Sequence, residues 1–186
     1  MTELKIGDRA ETLDSRGQIA FSEVIMFLDY NPGLSGVLYY VITTNEPYSR
    51  LAVTGSHLLF TKDCYSSTSD LTVKYAKLMN IGDCIMITQG SKLVSAKIEK
   101  IRLERKKGAI APLTVNGNII VDGVAASCYA KIDNQELAHL AFSPVRFIYT
   151  YASGVLNTHS IKQNGQHWYV RLLLQINSFL RVADLI

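Results

Sequence analysis

Leu4-Lys5-Ile6-Gly7-Asp8 returns as Met79-Asn80-Ile81-Gly82-Asp83, and the reading of this pair of stretches decides the fold. Each copy reads as a turn with Gly-Asp at its tip, glycine supplying backbone freedom and aspartate a local acceptor. Each leads into a hairpin. In the first half the arms pair across Asp14-Ser15-Arg16-Gly17, the second arm being Ala20 to Leu28; in the second half they are Cys84 to Thr88 and Leu93 to Leu103, joined by Gln89-Gly90-Ser91. Each half then reaches a broken apolar strand. Arg50-Leu51-Ala52-Val53-Thr54-Gly55-Ser56-His57-Leu58-Leu59-Phe60 and Pro112 to Val121 line up so that Asn118 falls opposite His57. One Ile-Gly-Asp match is within chance, but the same order of elements in both halves reads as a tandem duplication, with halves at about 4–60 and 79–130. Two copies are too few for a solenoid, so the expectation is an all-β, compact, pseudo-two-fold fold.

Around these halves the remaining segments follow. The arm Ala20 to Leu28 is too apolar at its end for clean alternation and reads as buried; it is expected to stop at Asp29-Tyr30-Asn31-Pro32-Gly33, a loop by composition. Val37 to Thr44 reads as a strand, and the serine-rich Cys64 to Asp70 as the least constrained loop. After Val124 to Ala130 the pattern turns helical, with Ser143-Pro144 as cap and first residue of a short helix from Val145 to about Tyr151. Gly154 to Gly165 is polar and loop-like. From His167 to Ile186, apolar residues at Trp168, Leu172, Ile176, Phe179, Leu180, Ala183 and Ile186 recur at helical spacing. Such a face either packs on the sheet, lies in a membrane interface or covers a lipid.

Composition narrows the function classes. A chain of 186 residues, 48% hydrophobic and 19% charged, folds as one domain or one domain with a small appendage. The net charge is only +3, and the basic excess in Lys97, Lys100, Arg102, Arg105, Lys106 and Lys107 has no aromatic residues interleaved with it. That run reads as a solvated strand and turn, with no nucleic acid as partner. Cys64, Cys84 and Cys128 lack metal-ligand spacing, and an odd count leaves at least one unpaired. Neither disulfide scaffolding nor a structural metal is expected, and no cofactor is implied. The opening Met1-Thr2-Glu3-Leu4-Lys5 is polar rather than a signal peptide, and no run approaches the roughly 18 apolar residues of a membrane span. The chain is then either cytosolic or the inner part of a longer one.

Thr54-x-x-His57 holds a threonine and a histidine on one short turn between apolar runs. A strand-end threonine with a hydrogen-bonded histidine is a structural reading of that turn. Its counterpart in the second half carries Asn118, and an amide cannot move protons near neutral pH as an imidazole can. The asymmetry points to chemistry in one half only.

With these segments placed, the chain resembles the C-terminal autoprocessing domain of Hedgehog proteins, which shares the Hint fold of inteins. The matching stretches are Leu4 to Arg9, Ser22 to Asp29, Thr54-x-x-His57-Leu58-Leu59, Gly108 to Thr114, Val124 to Ala130, Ala138-His139 with Phe142-Ser143-Pro144, and His167-Trp168-Tyr169, in family order over nearly the whole chain. The resemblance implies a Hint domain over 1–144 and a sterol- or adduct-recognition region over 145–186. It also implies an intein-like acyl transfer: a cysteine attacks the peptide bond on its amino side, and cholesterol then attacks the thioester, releasing an upstream signalling domain. By motif, Thr54 and His57 would hold and polarise the scissile peptide, and His57 would protonate the leaving amine. Asp29 matches the base for the sterol hydroxyl, a role that calls for desolvation or concerted transfer, since a free aspartate near pKa 3.9 is a feeble base. Cys128 would neighbour the active centre without being its nucleophile, and Trp168, Leu172 and Ile176 would belong to the sterol region. Cys64 and Cys84 match no motif and are taken as structural; His139 and His159 receive no role.

The family's nucleophilic cysteine, followed by phenylalanine, stands upstream of the stretch matching Leu4 to Asp8, where this sequence has only Met1-Thr2-Glu3. As written, the chain is therefore expected to lack its first strand and to be unable to cleave itself. The alternative is a non-catalytic module of the same fold that binds a lipid or membrane surface. The implied partners are an upstream domain in cis, a sterol as second substrate, and a membrane surface; the implied location is the secretory pathway and the lumen of the endoplasmic reticulum.

Overall fold

The computed structural model describes residues 3–65, 71–130, 139–152, 165–167, 169, 171, 172 and 175. Its strands are β1 (Arg9–Leu13), β2 (Ile19–Asn31), β3 (Val37–Thr44), β4 (Ser49–Thr54), β5 (His57–Thr61), β6 (Thr72–Tyr75), β7 (Cys84–Gln89), β8 (Lys92–Lys106), β9 (Ala109–Thr114), β10 (Asn118–Val121), β11 (Val124–Ala130) and β12 (Gly165–Gln166). A helix, α1, spans Ser143–Ala152.

The duplication read from the two turns is present bond for bond. The amide of Gly7 donates to Val24 O at 2.8 Å and that of Gly82 to Ile98 O at 2.9 Å, while Val24 N donates to Asp8 O and Ile98 N to Asp83 O, both at 2.8 Å. Within each turn the aspartate carboxylate accepts the amide three residues back, Lys5 N at 2.8 Å and Asn80 N at 2.9 Å. Both glycines hold φ in the left-handed region, +93° and +97°, where a side chain would strain the backbone.

The halves interlock rather than lie side by side. β2, the long arm of the first half, is paired by β9 of the second; β8, the long arm of the second, is paired by β3 of the first. Two sheets result. One has the order β1-β2-β12 with β9 also on β2; the other runs β10-β11-β5-β7-β8-β3-β4 with β6 on β5. Strand interiors bury Leu59, Ile85, Ile87, Ile98 and Val124 in one cluster. Ile25, Leu28, Leu113, Cys128, Tyr129 and Phe142 form another, against which Val145 and Tyr149 of α1 pack. The basic run on β8 places Lys97, Lys100, Arg102 and Arg105 outward, while Ala96 and Ile98 on either side of Lys97 are buried.

Two expectations are corrected. The chain does not leave the sheet at Asp29: β2 continues to Asn31, because β9 and β12 supply partners for Asp29 and Tyr30. Loop-forming Pro32-Gly33 lies just beyond. Cys64 and Cys84 are joined in a disulfide with an S–S distance of 2.02 Å, so the start of the serine-rich loop is tethered rather than unconstrained. The pairing of Thr61 with Ile85 across β5 and β7 brings them together, and no sequence spacing encodes that. Leu172, placed on the apolar face of the last helix, is helical and 44% exposed, whereas Tyr169 packs on Phe142. Trp168, Ile176, the remainder of that segment, His159 and residues 153–164 lie outside the described residues.

Candidate active site

Thr54 ends β4 and His57 opens β5, with Gly55-Ser56 turning between them. The turn is tight because Gly55 lies against its neighbours: a Cβ there would come 2.8 Å from Tyr40 Cε2 and 3.0 Å from Lys77 Cβ. Thr54 Oγ1 is 2.7 Å from His57 Nδ1. The imidazole is half-buried, and that burial pushes its pKa below the usual histidine range. One ring nitrogen is thus fixed by a hydroxyl, leaving Nε2 aimed in a set direction and able to exchange a proton.

His57 pairs with Ala130 of β11, and Leu59 with Ala126. Four steps along β11 therefore oppose two along β5, a bulge of the kind that re-aims side chains beside functional sites. Cys128 lies in that bulge. Its amide donates to Gly117 O at 3.0 Å, and its sulfur stands 3.8 Å from Thr114 Oγ1. Complete burial pushes the thiol pKa up to about 11, which makes it a poor nucleophile as it stands.

Asp29 is on the other sheet, opposite Ala111 of β9 on one side and Gln166 of β12 on the other. The C-terminal segment thus docks on β2 at the candidate base. His167 N donates to Leu28 O at 3.0 Å, and His167 Nδ1 accepts Tyr169 N at 3.3 Å, so its second ring nitrogen carries the proton. Burial lowers the pKa of His167 and favours that neutral form. Asn118, the counterpart of His57, has a different occupation: its Oδ1 accepts Leu13 N at 2.6 Å and its Nδ2 donates to Leu13 O at 2.9 Å. One copy of the position clamps β10 to β1; the other carries an imidazole on a turn.

Among the described residues no cluster of three or more His, Cys, Asp or Glu side chains could hold a metal, and no helix is long and apolar enough to cross a membrane. The sequence model of the family described as Hint module matches residues 1–182. The chain belongs to the Hint family. It is 38% identical over 195 residues to the Sonic hedgehog protein of Danio rerio, covering 99% of this chain and 46% of that protein. To the Protein hedgehog of Drosophila virilis it is 32% identical over 195 residues, covering 97% and 40%. The chain spans less than half the length of these relatives. Among solved structures, a DnaB intein from Synechocystis superposes with a TM-score of 0.53 at 12% identity, covering 69% of this chain and 82% of that one. The KlbA intein precursor from Methanococcus jannaschii gives 0.53 at 16% identity, covering 66% and 64%. At such identities the likeness is one of fold.

This Hint module also holds a cluster that the sequence left unassigned. Arg146 Nη1 of α1 donates to Tyr129 Oη and to His139 Nδ1, both at 2.8 Å, and Tyr129 Oη lies 3.0 Å from the same Nδ1. A guanidinium cannot accept, so His139 Nδ1 must carry a lone pair. Burial first and the Arg146 charge second hold His139 below its ordinary pKa. Gly117 makes room: a Cβ there would lie 2.5 Å from His139 Nδ1 and 2.8 Å from Tyr129 Oη. The cluster ties the helical region to β11, next to Cys128, and no spacing of Tyr129, His139 and Arg146 along the chain signals it.

Proposed function

We propose that this Hint module carries out hedgehog-type autoprocessing on a peptide bond joined to its amino side, with Thr54 and His57 activating that bond and Asp29 serving the second step. The 2.7 Å contact between Thr54 Oγ1 and His57 Nδ1 carries the reading, because it orients an imidazole as proton donor to a leaving amine. In the first step the sulfur of a cysteine placed upstream of Leu4 adds to the carbonyl on its amino side. The C–N bond breaks as the C–S bond forms, and the amine takes its proton through His57. In the second a sterol hydroxyl adds to the thioester; Asp29 accepts its proton, the C–S bond breaks, and the departing sulfur is reprotonated. The product is an upstream domain esterified to the sterol and free of the module.

Residues 145–186, with Trp168, Leu172 and Ile176, are assigned to acceptor recognition. Support comes from β12, which docks this region against Asp29, and from the exposure of Leu172. The Cys64–Cys84 disulfide suits an oxidising compartment such as the secretory pathway. Leu140 and Phe147, 66% and 64% exposed beside the cluster of Tyr129, His139 and Arg146, favour a membrane surface as a further partner and are the ground for the second reading, a lipid-binding module without catalysis.

A reporter followed by Gly-Cys-Phe and this chain separates the readings. Hydroxylamine, which traps the thioester, is expected to release the reporter, and cholesterol to release it as the ester. His57→Ala is expected to abolish both. Asp29→Ala is expected to spare hydroxylamine release and block sterol transfer. Release that survives His57→Ala, or no release with native liposome binding, would replace the first reading by the second.

A further inference from the structure

Tyr39 links the two sheets that carry the candidate site. It lies directly opposite Thr54 in the β3–β4 register, so both side chains leave the same face within a few ångströms of each other. Its hydroxyl reaches the other sheet's connection, donating to Gly108 O at 2.8 Å. Gly108 is itself held: its amide donates to Leu34 O at 2.7 Å, its φ is +90°, and a Cβ would stand 3.4 Å from Pro32 O. Directly after it, Ala109 pairs with Asn31 and Ala111 with Asp29. A continuous set of contacts therefore runs from His57 Nδ1 through Thr54 and Tyr39 to the start of the strand that frames Asp29. Burial raises the Tyr39 pKa, which keeps its hydroxyl a donor throughout the neutral range.

We infer that Tyr39 is a positioning residue for the acceptor step, its Oη–Gly108 bond setting the distance between the Thr54–His57 turn and the Asp29 strand. The inference rests on the autoprocessing reading and goes beyond it by naming what couples its two steps. The first step needs only the turn and an upstream cysteine. The second needs the acyl carbon, held by the turn, and the acceptor oxygen, served by Asp29 from the other sheet, within bonding reach, and effective concentration falls steeply with misplacement. The tyrosine ring alone can pack; only its hydroxyl can set this spacing.

Tyr39→Phe in the reporter fusion tests it. Hydroxylamine release is expected to stay within about twofold of the unsubstituted fusion, while sterol transfer slows by about tenfold in its maximal rate with the sterol KM unchanged, the scale of one positioned hydrogen bond. Independently of activity, amide hydrogen exchange at 109–111 is expected to speed up by about fivefold or more, with the amides of 57–61 unaffected. Equal slowing of both steps, an unchanged sterol rate, or unchanged exchange at 109–111 would overturn the role of Tyr39. Failure of the unsubstituted fusion to release anything, with the exchange difference still present, would instead strike the autoprocessing reading and leave the structural link standing.

Discussion

Thr54→Val is the sharpest probe of the candidate site, because valine matches threonine in shape and removes only the hydroxyl. In the native turn Thr54 Oγ1 lies 2.7 Å from Nδ1 of the half-buried His57 ring. Leaving a partly buried ring nitrogen unsatisfied costs about 1–3 kcal/mol. If the oriented imidazole is needed at the transition state of C–N cleavage, that cost enters the barrier, and hydroxylamine-induced release slows by about 5- to 150-fold. Thr54→Ser retains the hydroxyl and is expected to stay within about threefold of native. The assay is single-turnover release from the reporter fusion, read by gel densitometry under saturating hydroxylamine, with thermal unfolding run in parallel. Native rates in the valine variant would show that the Thr54–His57 bond does not orient the proton donor. Equal impairment by valine and serine would show that retaining the hydroxyl is not enough and that the turn responds to any change of shape at Thr54.

Stability should fall on acidification. Burial holds His57, His139 and His167 below the ordinary histidine value of about 6.5, so below that pH the unfolded chain binds more protons than the folded one. Their contribution is complete above about pH 6.5 and is lost as pH falls through the folded values; a urea midpoint at pH 5 equal to or above that at pH 7.5 would refute this. Replacing Cys64 and Cys84 together by alanine opens a loop with a sequence separation of 20 and is expected to cost about 3 kcal/mol, lowering Tm by about 10 °C, read by calorimetry. Dithiothreitol then weakens the fold as well as attacking a thioester, which is why hydroxylamine is the cleaner trap. Gly117→Ala is expected to cost about 2–4 kcal/mol by driving a Cβ into His139 and Tyr129, while Gly90→Ala, also at positive φ but with nothing within 4 Å, costs about 1–2 kcal/mol; equal denaturation midpoints for the two variants would remove the steric explanation.

Legibility in the sequence followed the range of the interactions. The Ile-Gly-Asp turns could be read because their bonds close within four residues and glycine and aspartate are the residue types that make them. The break at Thr54-x-x-His57 was visible for the same reason, and the structure adds the contact between its two side chains. Composition alone places Asp29 in a loop; its strand partners, Ala111 and Gln166, arrive from distant parts of the chain. The Cys64–Cys84 disulfide is not legible in the sequence, because counting cysteines says nothing about which strands will be adjacent.

By itself, then, the sequence determined a duplicated β unit, its turns, and the asymmetry between His57 and Asn118, all properties of local chemistry and of order along the chain. Only the tertiary structure decided that the halves exchange strands, with β9 on β2 and β3 on β8. That exchange sets Tyr39 between Thr54 and Gly108 and turns Asn118 into a clamp on Leu13, while β12 arrives separately to pair with β2 at Asp29. Strand pairing is satisfied by backbone groups that every residue carries, so which strands meet is settled by packing of the whole chain.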